Sequence, residues 1–212
     1  MAYDLEEQEQ IDTFKAFWER WGNLILTSVT VVLLAFAAYR GWGWYQNNRA
    51  VQAAEAYEQL RVSADKKDLS KVKESAGVVF EQFGSTVYGP MAGLVAAKAY
   101  VEGNDSKSAK AALQWVIDKS GESEFRQVAR VRLSGILLDE KQYDDALKLV
   151  VGNDTGHYAA PLADRRGDIL VAQGKHDDAK AAYKLALEKY GASSPMKRLV
   201  QIKLDGLDAS GS

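Results

Sequence analysis

Cysteine is missing altogether from this 212-residue chain, so neither a disulfide framework nor a thiolate zinc site can be built from it. A cysteine-free chain suits either side of a membrane and does not place the compartment. Histidine occurs only at His157 and His176, far apart in sequence. Proline is confined to Pro90, Pro161 and Pro195, each ahead of a helical pattern whose first turn tolerates it. Neither charge is in excess. Lys and Arg number 27 against 29 Asp and Glu, a net charge of −2, which removes the electrostatic case for nucleic acid. H-E-x-x-H, P-loop, G-x-S-x-G and dinucleotide fingerprints are absent. The pairs Asp144-Asp145 and Asp177-Asp178 resemble carboxylate dyads. Adjacent helical residues do not share a face, however, and acids at a helix start complement its dipole. Nothing in these patterns supports an enzyme, a cofactor or a metal site.

What the chain does have is a run of nineteen uncharged residues between Arg20 and Arg40, residues 21–39. A bilayer core about 30 Å thick needs roughly 20 mostly apolar helical residues, so this run is long enough to span one. Trp18 and Trp21 precede it, and Tyr39, Trp42, Trp44 and Tyr45 follow. This is the aromatic belt expected where amphipathic rings settle among headgroups. A buried core helix is a poorer reading, because the segment has no polar face. A cleaved signal peptide finds support in Ala35-Phe36-Ala37, but the leader carries a net charge of −4 where a positive n-region is expected. A retained single-pass anchor is the expectation adopted.

Charge leaves the orientation open. Lys15 and Arg20 flank one end and Arg40 and Arg49 the other, a tie under the positive-inside rule. In the leader, Ile11, Phe14, Trp18 and Trp21 recur at helical spacing, as in an amphipathic helix entering a membrane. The polar face is acidic, which suits a protein contact at least as well as anionic lipid. No small-xxx-small face occurs in residues 24–38, so helix pairing of that type is not expected.

From residue 50 onward apolar residues recur at three and four, without strand alternation. Residues 162–191 read as a helix, a tight turn at Gln173-Gly174-Lys175 and a second helix. Ala163, Gly167, Ala179 and Ala186 allow close approach, and Leu170, Tyr183 and Leu187 fill between the helices. Thirty-three residues earlier, Asp-Asp-Ala recurs around Ala146, with Ala129, Leu133 and Leu137 upstream. Another 37 residues back, Ala109 takes the same role after Ala96, Ala97 and Tyr100. A period of 33 to 37 residues with alanines at the crossings resembles the tetratricopeptide repeat. A degenerate unit is expected at 50–83, and a polar capping helix at 195–208. The fold class expected is all-α: an N-terminal transmembrane helix followed by an α-solenoid of degenerate tetratricopeptide repeats. The expected divisions are a leader at 1–20, an anchor at 21–45, the repeat domain at 46–208 and a tail at 209–212. His176 falls in a turn where that repeat often has tyrosine, so it is read as packing. The groove-lining positions are aligned as Leu94, Lys98, Val131, Leu138, Asp164 and Asp168. With Lys98 the only cation among them, a clamp for a C-terminal carboxylate is not expected. A partly apolar, partly acidic groove better suits an extended or partly unfolded protein segment.

The leader, Tyr3-Asp4-Leu5-Glu6-Glu7-Gln8-Glu9-Gln10, followed by Phe14-Lys15-Ala16-Phe17-Trp18 and Trp21-Gly22-Asn23, resembles the start of the bacterial ancillary SecYEG translocon subunit family. The resemblance extends over the whole chain. It implies an inner-membrane protein with a cytoplasmic N-terminus and a periplasmic repeat domain. It also implies association with SecYEG and with a membrane-anchored periplasmic peptidyl-prolyl isomerase chaperone. The repeat groove would then help pass emerging, unfolded secretory proteins to periplasmic chaperones. Two alternatives stay open on the residues alone: an anchored scaffold for another envelope complex, and a secreted repeat protein released after Ala37.

Overall fold

The computed structural model describes residues 2–152 and 156–210, with side chains from Ile11 to Ala209. Among them there are nine α-helices and no strand: α1 Ala2–Asp65, α2 Leu69–Phe83, α3 Tyr88–Glu102, α4 Ser106–Lys119, α5 Ser123–Asp139, α6 Tyr143–Val150, α7 Ala159–Ala172, α8 His176–Lys189 and α9 Pro195–Ser210. A single 3₁₀ turn, Gly156–Tyr158, precedes α7. The chain divides into two compact units, Met1–Val51 and Gln52–Ser212.

The first unit is helical throughout its described length. Its apolar side chains are not packed away: Leu24, Val32, Leu34 and Phe36 are each 60–66 % exposed. A core helix would bury such residues, so that reading of the uncharged run fails. The segment is long and apolar enough to cross a membrane. Two of its hydroxyls are satisfied within the helix. The Thr27 and Thr30 hydroxyls donate to the carbonyls of Asn23 and Leu26 at 2.7 and 2.8 Å, which removes two donors that lipid could not satisfy.

The second unit is built from four helical hairpins: the end of α1 with α2, α3 with α4, α5 with α6, and α7 with α8. One backbone device repeats at every turn. Lys67, Asn104, Lys141 and Gly174 all take the left-handed conformation, with φ between 56° and 74°. Each donates its N–H to the carbonyl three residues back, and the next residue donates to the carbonyl five back. This is the Schellman ending, which satisfies carbonyls left over at a helix C-terminus. In the first two hairpins the following residue, Asp68 or Asp105, then caps the second helix by accepting from the backbone N–H of Lys71 or Ser108. The spacing of 37, 37 and 33 residues sets the register of the whole stack. It also adds residues 52–83 as a full first hairpin.

That register explains the core. Leu60, Ala97, Ser134 and Gly167 are equivalent and all buried. At three of the four the side chain is small or missing, so each first helix can approach its partner closely. A Cβ on Gly167 would collide with the ring of Tyr183, and one on Gly93 with Val116. Ala109, Ala146 and Ala179, equivalent in α4, α6 and α8, are completely buried, as is Val72 at the same position of α2. Stacking joins three apolar clusters along the unit, because no single hairpin can bury its own face.

The two ends of the stack differ. Positions that bury Ala92, Ala96 and Ala99 against the preceding hairpin hold Glu55, Gln59 and Val62 in the first one. With Ser63 and Lys66 they line an open groove of about 590 Å³ against Lys71, Glu74 and Val78 of α2. This is the polar outer face a terminal repeat needs for solubility. At the other end, α9 buries Val200, Leu204 and Leu207 but leaves Met196, Leu199 and Ile202 at 40–60 % exposure. It caps the stack as the expected helix at 195–208, and is amphipathic with an uncovered apolar edge.

Candidate protein-binding groove

In each hairpin the first helix presents one face away from its partner. Applying the turn register, Lys98 is equivalent to Gly135 and Asp168, Arg132 to Arg165, and Glu102 to Asp139. Between α3 and α5 this face opens into a pocket of about 360 Å³. Its floor is apolar, formed by Ala97, Val101, Leu113 and Ile136, and its rim is charged, formed by Lys98, Glu102, Arg132 and Asp139. Gly135 also lines it. A Cβ there would sit 3.5 Å from the guanidinium of Arg165, an ordinary contact, so Gly135 marks where the pocket meets α7.

The rim charges are held weakly. Lys98 Nζ lies 3.7 Å from Glu102 Oε1, and both side chains are more than half exposed. Such a pair contributes about 0.3–0.5 kcal/mol, little enough to be exchanged for a ligand's charge. Arg132 Nη1 donates to the carbonyl of Leu94 at 3.2 Å, which ties α5 to α3 at the pocket edge.

Beyond Gly135 the groove closes. Lys203, from α9, donates to Asp164 Oδ1 and Asp168 Oδ1, both at 2.7 Å, and lies 5.6 Å from the centre of the Tyr183 ring. The Tyr183 hydroxyl donates to Asp168 Oδ1 at 2.8 Å, and Arg165 Nη1 stands 3.5 Å from Asp168 Oδ2. Burial pushes the Asp164 carboxyl above its ordinary range, opposed by the hydrogen bond and charge of Lys203. Burial, then the charge of Asp168 and the hydrogen bond to it, drive the Tyr183 hydroxyl far above its own. The cluster is a structural lock that fastens α9 to α7 and α8.

Of the six groove positions expected from sequence, the pocket contains Lys98. Leu94 is half-buried against the core and contributes its carbonyl. Val131 and Leu138 pack against Ala146, Val150, Leu162 and Ile169, and Asp164 and Asp168 lie under Lys203. Arg132 and Asp139, each one residue beyond an expected position, form the rim, so Lys98 is not the only cation. The left-handed turn residues, aligned at Asn104 and Lys141, are the signal that places them. The belt residues Trp18, Trp21, Tyr39, Trp42, Trp44 and Tyr45 all stand exposed.

Hairpins in this register, with an open first-helix face, define a tetratricopeptide-type binding module. The Tetratricopeptide repeat-like domain family matches residues 15–209 of the chain. A protein of Neisseria gonorrhoeae (strain ATCC 700825 / FA 1090), named Ancillary SecYEG translocon subunit, is 31% identical over 98% of this chain and 100% of its own length. Proteins of the same name from Escherichia coli (strain K12) and Haemophilus influenzae (strain ATCC 51907 / DSM 11121 / KW20 / Rd) are each 27% identical, over 95% and 98% of this chain and 96% and 100% of their own. The chain belongs to the ancillary SecYEG translocon subunit family.

Proposed function

We propose that this chain is a non-catalytic, membrane-anchored adaptor that associates with the SecYEG translocon and presents a protein-binding groove beside it. The observation that carries the reading is the combination, within one chain, of an uncovered apolar segment and an open first-helix pocket. Relatives named Ancillary SecYEG translocon subunit match 98% and 95% of this chain. Residues 21–45 serve as the anchor in the inner membrane, with the leader in the cytoplasm and the repeat domain, from about residue 46, in the periplasm. The groove receives segments of emerging secretory proteins and hands them to periplasmic chaperones, a membrane-anchored peptidyl-prolyl isomerase among them. A bipolar rim around an apolar floor suits this work, because it holds a segment weakly enough to release it.

Photo-crosslinking from positions on the repeat domain in intact inner membranes, followed by identification of the adducts, tests the proposal. SecYEG subunits and a periplasmic isomerase are expected among them. Adducts drawn only from an unrelated envelope complex would replace this reading with that of a scaffold. An intact mass retaining Met1 or Ala2 is expected, and a mature chain starting after Ala37 would remove the anchor.

A further inference from the structure

The rim of the α3–α5 pocket has a direction. Arg132 and Lys98 precede the acidic rim residues along α5 and α3, by seven and four positions, and Asp139 and Glu102, equivalent positions in the repeat register, close the C-terminal ends of those helices. Seven residues of α5 separate Arg132 from Asp139, about 10 Å of helix. An extended segment covers that length in about three residues. Between the two poles lie Val101 and Ile136, apolar and accessible from the groove.

We propose that this pocket selects a bipolar segment: one aliphatic side chain seated on Val101 and Ile136, an acidic residue facing Arg132 and Lys98, and a basic residue facing Glu102 and Asp139. The inference rests on the reading of the repeat domain as a protein-binding groove and specifies its ligand. Charge complementarity carries it. A ligand of one sign gains at one pole and is repelled at the other, and a neutral apolar ligand leaves both poles uncompensated. Lys98 and Glu102 satisfy each other only loosely at 3.7 Å, so a bipolar segment replaces their contact without stranding either charge. The exposed positions of Arg132 and Asp139 make the preference reversible by substitution.

The test uses the full-length chain in lipid nanodiscs and four fluorescent peptides with Gly-Ser flanks: Glu-Glu-Leu-Lys-Lys, Lys-Lys-Leu-Lys-Lys, Glu-Glu-Leu-Glu-Glu and Glu-Glu-Gly-Lys-Lys. The bipolar leucine peptide is expected to bind about fivefold more tightly than either single-sign peptide, the size one exposed charge pair supplies, and more tightly than its glycine counterpart. Arg132→Glu turns the rim acidic and is expected to move the preference to the all-basic peptide. Asp139→Arg is expected to move it to the all-acidic one. Circular dichroism of both variants checks that the helices persist. Equal binding of all four peptides, no binding of any, or a ranking unchanged in Arg132→Glu would overturn the proposal. Translocon crosslinking of the unsubstituted protein is a separate readout: its absence counts against the adaptor reading and leaves the pocket's selectivity standing.

Discussion

Lys203 and Asp164, 39 residues apart in sequence, meet at 2.7 Å, and the same ammonium holds Asp168 at 2.7 Å. One cation thereby fastens α9 to the last hairpin and keeps the buried Asp164 and the half-buried Asp168 from facing each other unshielded. Lys203→Met removes the cation and keeps most of the apolar stem. Losing one partner of a buried pair costs about 3–5 kcal/mol. Because Lys203 and Asp168 retain some solvent access, a loss of about 1–3 kcal/mol is expected. Urea unfolding monitored by circular dichroism measures it, and an unchanged midpoint would show that α9 is held by Val200, Leu204 and Leu207 alone.

Asp164 supplies a pH test with a definite sign. Burial raises its folded-state value above the ordinary 3.8, so the folded chain keeps this proton to higher pH than the unfolded chain does. Its contribution to stability is fully present below 3.8 and is lost as pH rises through the raised value. Asp164→Asn keeps an acceptor for Lys203 and removes the titration. The variant is therefore expected to gain stability relative to the parent as pH is raised from about 3 to about 7. A difference that is flat, or that slopes the other way, would contradict the burial argument.

How much of this was legible depended on whether a signal was local. Ala109, Ala146 and Ala179 announced the last three hairpins because a small residue recurs at each of those second-helix crossings, and all three are completely buried. The first hairpin was faint because it has no predecessor, so Glu55 and Gln59 interrupt the apolar pattern there. The groove register slipped by one residue in α5. Val131 is apolar and Arg132 charged, yet Val131 faces the core and Arg132 the open pocket, and periodicity alone does not separate adjacent flanks of a helix face. The closing of the groove by Lys203 was invisible. Contacts across 35 and 39 residues leave no trace in local spacing.

Gly167 marks a tight hairpin crossing. A methyl group there meets the Tyr183 ring, which is 3 % exposed and held by its hydrogen bond to Asp168, so it has nowhere to turn. Gly167→Ala gains helix propensity but forces overpacking, with a net loss of about 1–3 kcal/mol. Gly77, inside α2 with open space around its missing Cβ, is the control. Gly77→Ala is expected to stabilise by about 0.4–1 kcal/mol. Thermal unfolding of the two variants separates packing from propensity, and equal shifts would refute the crossing argument.

The aromatic girdle predicts a depth. Twenty-one residues separate Trp21 from Trp42, about 31 Å of helix, against a hydrocarbon core of about 30 Å. Each indole should therefore lie near one boundary of the bilayer. Trp42 and Trp44 are 64 % and 70 % exposed, free to settle among headgroups, whereas Trp115 stacks on Phe80 with ring centres 4.3 Å apart, half-buried against the repeat core. In a variant retaining only Trp42, lipids brominated near the headgroup end of the acyl chain are expected to quench fluorescence more than lipids brominated at mid-chain. A variant retaining only Trp115 should be quenched by neither. Strongest quenching of Trp42 at mid-chain would shift the span along the helix, and no quenching of Trp42 at all would show that the nineteen uncharged residues do not cross the bilayer.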